Sequence, residues 1–159
     1  MYQKIIEYAE ALDKISRERR RDFHRYPETA WLEMRTSAVI AKVLTELGYE
    51  VLTGKDVCLE SSRLGVPSSE ELKEHAERAL LQGAPAEYLT EEMRAGFTGV
   101  IGILRCGEGP VTALRFDIDA LGLTEDENVN HRPFAEGFAS RNPGMMHGCG
   151  HDGHAAIGL

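Results

Sequence analysis

The residues of this chain best suited to chemistry lie near its end. Positions 145–154 read Met-Met-His-Gly-Cys-Gly-His-Asp-Gly-His, which places a thiol, three imidazoles and a carboxylate between glycines. Only one glycine separates Cys149 from His151. In an extended or looped backbone both side chains can point to the same side and bind one metal ion. We therefore predict that Cys149 and His151 are metal ligands.

The neighbouring donors decide between a metal site and a simpler interpretation. A lone Cys-x-His is equally compatible with a reduced cysteine in a turn beside surface histidines. Here His147, Asp152 and His154 stand in the same stretch, and so dense a set of polar groups is costly to bury without a partner. The crowding favours a metal or active site.

A second group of candidate residues is the acidic pair Asp117 and Asp119, within the segment 115–121. The pair follows an apolar, β-branched run, and α/β folds commonly place ligand-binding groups at the ends of such strands. These carboxylates can bind a metal, orient a metal-binding histidine, or cap the following loop. The residues alone leave all three roles open.

Two helices are predicted ahead of these groups. Apolar residues at positions 5, 6, 9, 12 and 15 predict an amphipathic helix over residues 2–25 with its apolar stripe facing a core. Tyr26-Pro27 ends it, and helical periodicity resumes over 28–47 until Gly48.

The remaining pattern predicts strands and further helices. Residues 49–52 are typical of a short strand, and 98–104 with 111–118 indicate a hairpin. Serines at 68 and 69 are placed to cap a charged helix reaching residue 81, and 86–95 indicates another helical piece. We interpret 59–95 as an inserted surface segment. A last helix is expected from His154, capped by Asp152. These elements predict an α/β or α+β layered domain.

Composition excludes several function classes. The chain has 159 residues, enough for one domain, and 26 acidic against 18 basic residues give a net charge of -8. This charge argues against nucleic acid or an anionic membrane as a partner. No apolar run approaches the ~20 residues of a membrane span, and three scattered cysteines fit a reducing compartment. We expect a soluble, cytoplasmic protein.

Four segments of the chain carry a family signature: 20–28, 96–100, 115–121 and 146–154. Taken in this order, they resemble the aminoacylase and carboxypeptidase-like metallohydrolases. The resemblance is greatest to the amidohydrolase branch that includes hippurate and indole-acetyl-amino-acid hydrolases. Within that branch, Glu60-Ser61-Ser62-Arg63, the segment up to Ala95, and residues 131–140 resemble the A subunits of aminobenzoyl-glutamate hydrolases.

The resemblance implies an α/β zinc-peptidase-like catalytic domain with helices packed on a mixed sheet. It also implies hydrolysis of an amide in an N-acyl or N-aryl amino acid, probed best with aminobenzoyl-glutamate, by water activated on two divalent metals, Mn²⁺ or Zn²⁺. Cys149 and His151 match the ligands of the family. His24 and Glu28 are left out of the site, since packing explains them equally well. The supporting residues are Asp117, Asp119, His147, Asp152 and His154.

The family pattern extends beyond this chain. Its paired glutamates, one the general base, follow the cysteine motif by tens of residues, so the base is expected beyond Leu159 and no catalytic residue is expected within 1–159. The small lid and dimerisation domain is also expected to be absent. We therefore interpret 1–159 as an incomplete N-terminal portion of the catalytic domain that is inactive alone. Partners implied are a small amide substrate and either a homo-oligomer or a paralogous second subunit.

Two alternatives remain open. The chain can be a short protein that binds metal or a partner protein without catalysis, which stable monomeric folding would favour. It can also be an interaction module whose cysteine motif is incidental, which unchanged stability on adding Zn²⁺ or Mn²⁺ would favour.

Overall fold

The computed structural model describes residues 2–159, which form helices and a small sheet. Two short 3₁₀ turns, Gly54–Asp56 and Glu60–Ser62, follow the first strand. The helices are α1 (Tyr2–Arg25), α2 (Met34–Glu46), α3 (Ser69–Leu81), α4 (Glu91–Arg94), α5 (Arg132–Ala135) and α6 (His151–Gly158), and the strands are β1 (Glu50–Thr53) and β2 (Val100–Ile103).

Helix α1 has the predicted bounds, but its apolar stripe does not face a core. Ile5 is 57% and Leu12 55% exposed, whereas Phe23 and His24 near the end of the helix are buried. Periodicity indicates that one face of a helix is apolar, but it does not identify the residues that cover that face. In residues 2–159, only the last turns of α1 are packed, against α6.

Helix α2 begins six residues later than predicted, because residues 28–33 form a turn. Trp31 adopts a positive φ of 68°, which is incompatible with a continuous helix. The buried Glu28 carboxylate accepts hydrogen bonds from the backbone nitrogens of Arg35 (2.9 Å) and Thr36 (2.8 Å). These nitrogens lie in the first turn of α2, so Glu28 supplies the cap that the helix needs.

The sheet differs from the predicted hairpin. β2 pairs antiparallel with β1, with Glu50 opposite Ile103, and no strand among the described residues includes 111–118. Val111 is 96% exposed. The hairpin prediction was wrong because β-branched composition identifies a segment that fits a sheet without identifying its partner.

The segment 59–95 contains the predicted helix α3. Ser68 caps it by accepting a hydrogen bond from the backbone nitrogen of Glu71 (3.2 Å). The second helical piece, predicted over 86–95, is shorter in the structure and consists of α4 alone. The Thr90 hydroxyl caps α4 by accepting a hydrogen bond from the backbone nitrogen of Met93 (3.1 Å).

This segment is not a surface excursion. Ten buried residues form the larger apolar cluster of the described chain, and six of them come from 59–95. The six residues from 59–95 cover the apolar side of α2. Those from the segment are Leu72, Ala76, Ala79, Ala84, Leu89 and Met93, and those from the first part of the chain are Leu32, Met34, Ala38 and Ala41.

The remaining residues, 104–150, are mostly irregular and connect back to the turn before α2. The backbone nitrogen of Ala120 donates to the Glu28 carbonyl (2.7 Å). Leu121 and Met146 exchange two backbone hydrogen bonds, of 2.9 and 3.0 Å. These bridges hold the acidic pair beside the start of α6. No helix in 2–159 is both long and apolar enough to cross a membrane.

Candidate metal centre

Helix α6 carries most of the donor-rich motif and begins at His151, three residues earlier than predicted. The preceding Gly150 has a φ of 87°, a conformation that glycine adopts without strain. Within the described chain no side chain caps the helix. Asp152 therefore does not have the predicted capping role; it lies in the first turn and its carboxylate points to α1.

The structure brings Asp117, His151 and His154 together. One ligand atom from each residue lies within 4.8 Å of the other two. The Nε2 atom of His151 is 4.0 Å from a carboxylate oxygen of Asp117, and the two imidazoles stack with centroids 5.1 Å apart. Two imidazoles and a carboxylate are ligands that Zn²⁺ and Mn²⁺ accept.

Asp119 contacts the other side of the His151 ring. Nδ1 of His151 lies 3.0 Å from both the backbone oxygen and the Oδ1 atom of Asp119. Since both atoms are acceptors, Nδ1 donates, and Nε2 is left facing Asp117. A carboxylate that orients a histidine in this way is typical of metal sites.

Cys149 is exposed and is not part of this three-residue group. Cys149 lies between Gly148 and Gly150, on the loop just before α6. The ligand assignment of Cys149 stays a prediction, and His151 is the residue common to the predicted ligand pair and to the observed group.

Behind α6 lies a buried polar network centred on His24 of α1. Nδ1 of His24 donates to Asp152 (2.9 Å), and Nε2 donates to Glu125 (2.8 Å). Arg20 donates to the same Asp152 oxygen (3.0 Å), and His131 donates to the same Glu125 oxygen (2.8 Å). The network therefore joins α1, α6 and the loop that contains Glu125.

The charges in this network support one another. Burial alone would lower the pKa of His24, but the hydrogen bonds to Asp152 and Glu125 raise it above its usual value. Burial would raise the pKa of Asp152, but the hydrogen bond from His24 and the charge of Arg20 hold it below its usual range. The directions of these pKa shifts favour an imidazolium paired with two carboxylates.

His147 is buried beside this network, and neither ring nitrogen has a hydrogen-bond partner within residues 2–159. Burial lowers the pKa of His147 to about 4, so the ring is neutral near pH 7. One oxygen of the fully buried Asp152 also lacks a partner there. Buried polar atoms are normally satisfied. The Asp117, His151 and His154 donors fit a site for a divalent metal. The unpaired atoms of His147 and Asp152 lie outside that three-residue group.

Leu159 follows α6 and is tied to α1. Its backbone oxygen accepts a hydrogen bond from Arg19 (3.0 Å), and its side chain packs against the apolar cluster of Phe23, Ile40 and Ala155. These contacts stabilise the fold, and the aliphatic side chain of Leu159 cannot act as a general base. The placement of the general base beyond Leu159 stays a prediction.

Sequence reasoning missed His24, Arg20 and Glu125 as parts of the polar network behind α6. The resemblance of segment 20–28 to the family is the available signal for His24 and Arg20. For Glu125 no signal exists, because a lone glutamate in a loop among other acidic residues has no diagnostic spacing.

Residues 113–159, which include the clustered donors, match the model of peptidase family M20/M25/M40. This match agrees with the resemblance found in the sequence.

Similar proteins agree with this assignment over most of the chain. The A subunit of p-aminobenzoyl-glutamate hydrolase from Escherichia coli K12 is 51% identical over 141 residues, which are 88% of this chain and 32% of that protein. The indole-3-acetyl-aspartic acid hydrolase of Enterobacter agglomerans is 50% identical over the same shares of each chain.

A solved structure shows the same fold. The aminobenzoyl-glutamate utilization protein of Klebsiella pneumoniae superposes with a TM-score of 0.71 at 40% identity, covering 74% of this chain and 30% of that one. This chain thus spans about a third of the length of the relatives it matches.

Proposed function

We propose that this chain forms the metal-binding part of an amidohydrolase that cleaves the amide of an N-acyl or N-aryl amino acid, with p-aminobenzoyl-glutamate as the substrate to test first. The observation that carries the proposal is the convergence of His151, His154 and Asp117 on one point, within the segment that matches the family model. The substrate class is suggested by the names of two relatives about 50% identical to the chain.

The proposed metal is bound by His151. Its further proposed ligands are Cys149, Asp117 and His154. Thiolate and imidazole donors favour Zn²⁺, and added carboxylates make the site acceptable to Mn²⁺. When bound, such an ion polarises an amide carbonyl and lowers the pKa of a water molecule. Two ions in the whole protein are part of the proposal.

The residues around the proposed ion act on its ligands. Asp119 keeps the proton of His151 on Nδ1, so that Nε2 is free to bind. Asp152 and His24 anchor the first turn of α6. His147 is neutral and buried, and its ring nitrogens have no hydrogen-bond partner among the described residues.

The chain alone is proposed to bind metal without hydrolysing the substrate, with the general base beyond Leu159. It spans about a third of its relatives, and the loss of a positioned general base typically lowers the rate by about 10²–10⁴-fold. One relative is named as a subunit of its enzyme, which supports a second, paralogous chain as a partner. Three free cysteines fit the cytoplasm as its compartment.

The test compares metal content and p-aminobenzoyl-glutamate hydrolysis in two proteins: this chain, and a version extended with downstream sequence to the length of the relatives. We expect metal in both and activity only in the extended protein. In that protein, His151→Ala is expected to abolish activity and Cys149→Ala to lower it at least 100-fold.

Two variants serve as matched controls. His75→Ala removes a half-buried imidazole from α3, and Cys106→Ala removes an exposed thiol outside the motif. Both are expected to retain metal and activity. An extended protein that is folded and metal-free, or fully active as His151→Ala, would overturn the proposal.

A further inference from the structure

His24 is a buried side chain outside the proposed ligand set, and both of its ring nitrogens have hydrogen-bond partners. It is 4% exposed, and each of its ring nitrogens contacts a carboxylate that belongs to a different part of the chain. Its ring also packs edge-on against Phe138, with centroids 5.5 Å apart. The separations in sequence are 128 residues to Asp152 and 101 to Glu125.

The contact with Asp152 matters because of where Asp152 lies on α6. At about 100° per residue, His151 and His154 lie about 60° apart on one side of the helix, and Asp152 lies about 100° from His151 in the opposite direction. One side of the first turn is therefore fixed to α1 while the other presents the two histidines to Asp117.

The start of α6 depends on these side-chain contacts for its orientation. Within residues 2–159 no capping side chain restrains the helix, and the residue before it is a left-handed glycine. The hydrogen bonds from His24 and Arg20 to Asp152, and those from His151 to Asp119, therefore set how the first turn is rotated.

We propose that His24 is a positioning residue for the metal centre: by holding Asp152, it fixes the rotation of α6 so that His151 and His154 face Asp117. This proposal rests on the proposed function, because it assumes that the three residues bind a metal. His24 touches neither metal nor substrate. Its effect reaches the metal through Asp152 and the helix backbone.

The test uses two substitutions of His24 by residues with amide side chains, each of which keeps a nitrogen at the place of one ring nitrogen. The side-chain nitrogen of His24→Asn occupies the place of Nδ1 and can still donate to Asp152. That of His24→Gln occupies the place of Nε2 and can donate only to Glu125. A purely structural role would make the two variants lose stability without distinguishing their metal sites.

The measurement is a Co²⁺ titration of the 159-residue chain, followed by calorimetry and by the visible absorption of the bound ion, with far-ultraviolet circular dichroism to verify folding. We expect His24→Gln to weaken Co²⁺ binding about 10–100-fold, as loss of an outer-shell partner does, and to change the absorption at saturation. His24→Asn is expected to stay within about threefold of wild type, with the wild-type absorption. His75→Gln serves as the control and should change neither.

If His24→Gln does not fold, Arg20→Gln decides. Arg20 is half-exposed and donates to the same Asp152 oxygen, so a severalfold weaker binding of Co²⁺ is expected and an unchanged affinity would overturn the proposal. Equal affinity and absorption in wild type and folded His24→Gln would overturn the positioning role alone. A folded wild-type chain that binds no Co²⁺ would overturn the proposed function and this inference with it.

Discussion

Two regions of the molecule are held together by different physical means. The apolar region, which comprises α2, α3, α4 and the two strands, encloses the ten-residue cluster. The polar region comprises α1, α6 and residues 104–150. It shares with α2 a small apolar cluster of Phe23, Ile40 and Ala155, and otherwise depends on buried ion pairs and hydrogen bonds. The first region buries its own apolar surface, whereas the second leaves most of α1 exposed.

The difference separates the region that stabilises the fold from the region that contains the candidate ligands. A closed apolar cluster removes apolar surface from water and gives most of the free energy of folding. Buried charges add little net stability but fix geometry, and removing one partner leaves the other unpaired. The candidate ligands belong to the polar region, where geometry is fixed by His24, Asp152 and Asp119.

The largest expected effect is a loss of stability in the apolar region. Met93 is fully buried in its cluster, so Met93→Ala should lower the free energy of unfolding by about 2–5 kcal/mol. Urea denaturation followed by circular dichroism measures it. The matched change on α1, Leu12→Ala, should stay within about 0.5 kcal/mol because Leu12 is 55% exposed. Equal losses in the two variants would mean that α1 is covered in solution.

Glu33 lies between the regions and accepts a hydrogen bond from the Thr98 hydroxyl (2.6 Å). Burial raises its pKa from 4.5 to about 7, and the charges of Glu28 and Asp119 add to the rise. The folded state therefore binds the proton more tightly than the unfolded state. The stability due to this proton is present below pH 4.5 and is lost as the pH rises to about 7.

The variant Glu33→Gln keeps an acceptor for Thr98 and removes the titration. The wild type should lose about 3 kcal/mol relative to Glu33→Gln between about pH 4.5 and about pH 8. Denaturant unfolding of both proteins across this range measures the difference, which cancels the titration of all other groups. A difference that is independent of pH would show that Glu33 ionises normally.

Asn142 joins the two regions, and its replacement tests that junction. This buried side chain donates to the Pro27 carbonyl (2.7 Å) and accepts from Gln82 of the apolar region (2.6 Å). Asn142→Ala leaves both partners unpaired and should lower the free energy of unfolding by about 1–3 kcal/mol. The exposed Asn130 provides the control, and its replacement by alanine should change little. Similar values for both variants would contradict the described junction.

The smallest expected effect is local to α3. Ser68→Ala removes the cap of this helix and should lower the free energy of unfolding by about 1 kcal/mol. Ser69→Ala, one position further into the helix, should be nearly neutral. The reverse order in thermal or chemical denaturation would mean that the helix begins elsewhere.

The features that could be predicted from sequence are the local ones. The bounds of α1, the capped start of α3 and the donor-rich motif follow from periodicity, capping residues and spacing over a few positions. The exposed face of α1 could not be foreseen, because periodicity does not identify what packs against a helix. The pairing of β2 with β1 instead of 111–118 likewise depends on contacts between distant segments.

The same limit applies to the site. Residue type alone suggests that Asp117 and Asp119 lie near a metal ligand, but the roles that the structure gives them depend on the irregular path of 104–150. His24 lies 128 residues from Asp152, and the position of Asp152 in the sequence predicts a cap for its own helix. Only the folded chain shows that its carboxylate points to α1.

His151 is proposed as the main metal ligand of this chain. A calorimetric titration of Zn²⁺ into the wild type, His151→Ala and His75→Ala tests this role most directly. We predict saturable binding in wild type and His75→Ala and loss of that binding in a folded His151→Ala. Equal Zn²⁺ binding in all three proteins, or none in the folded wild type, would contradict it.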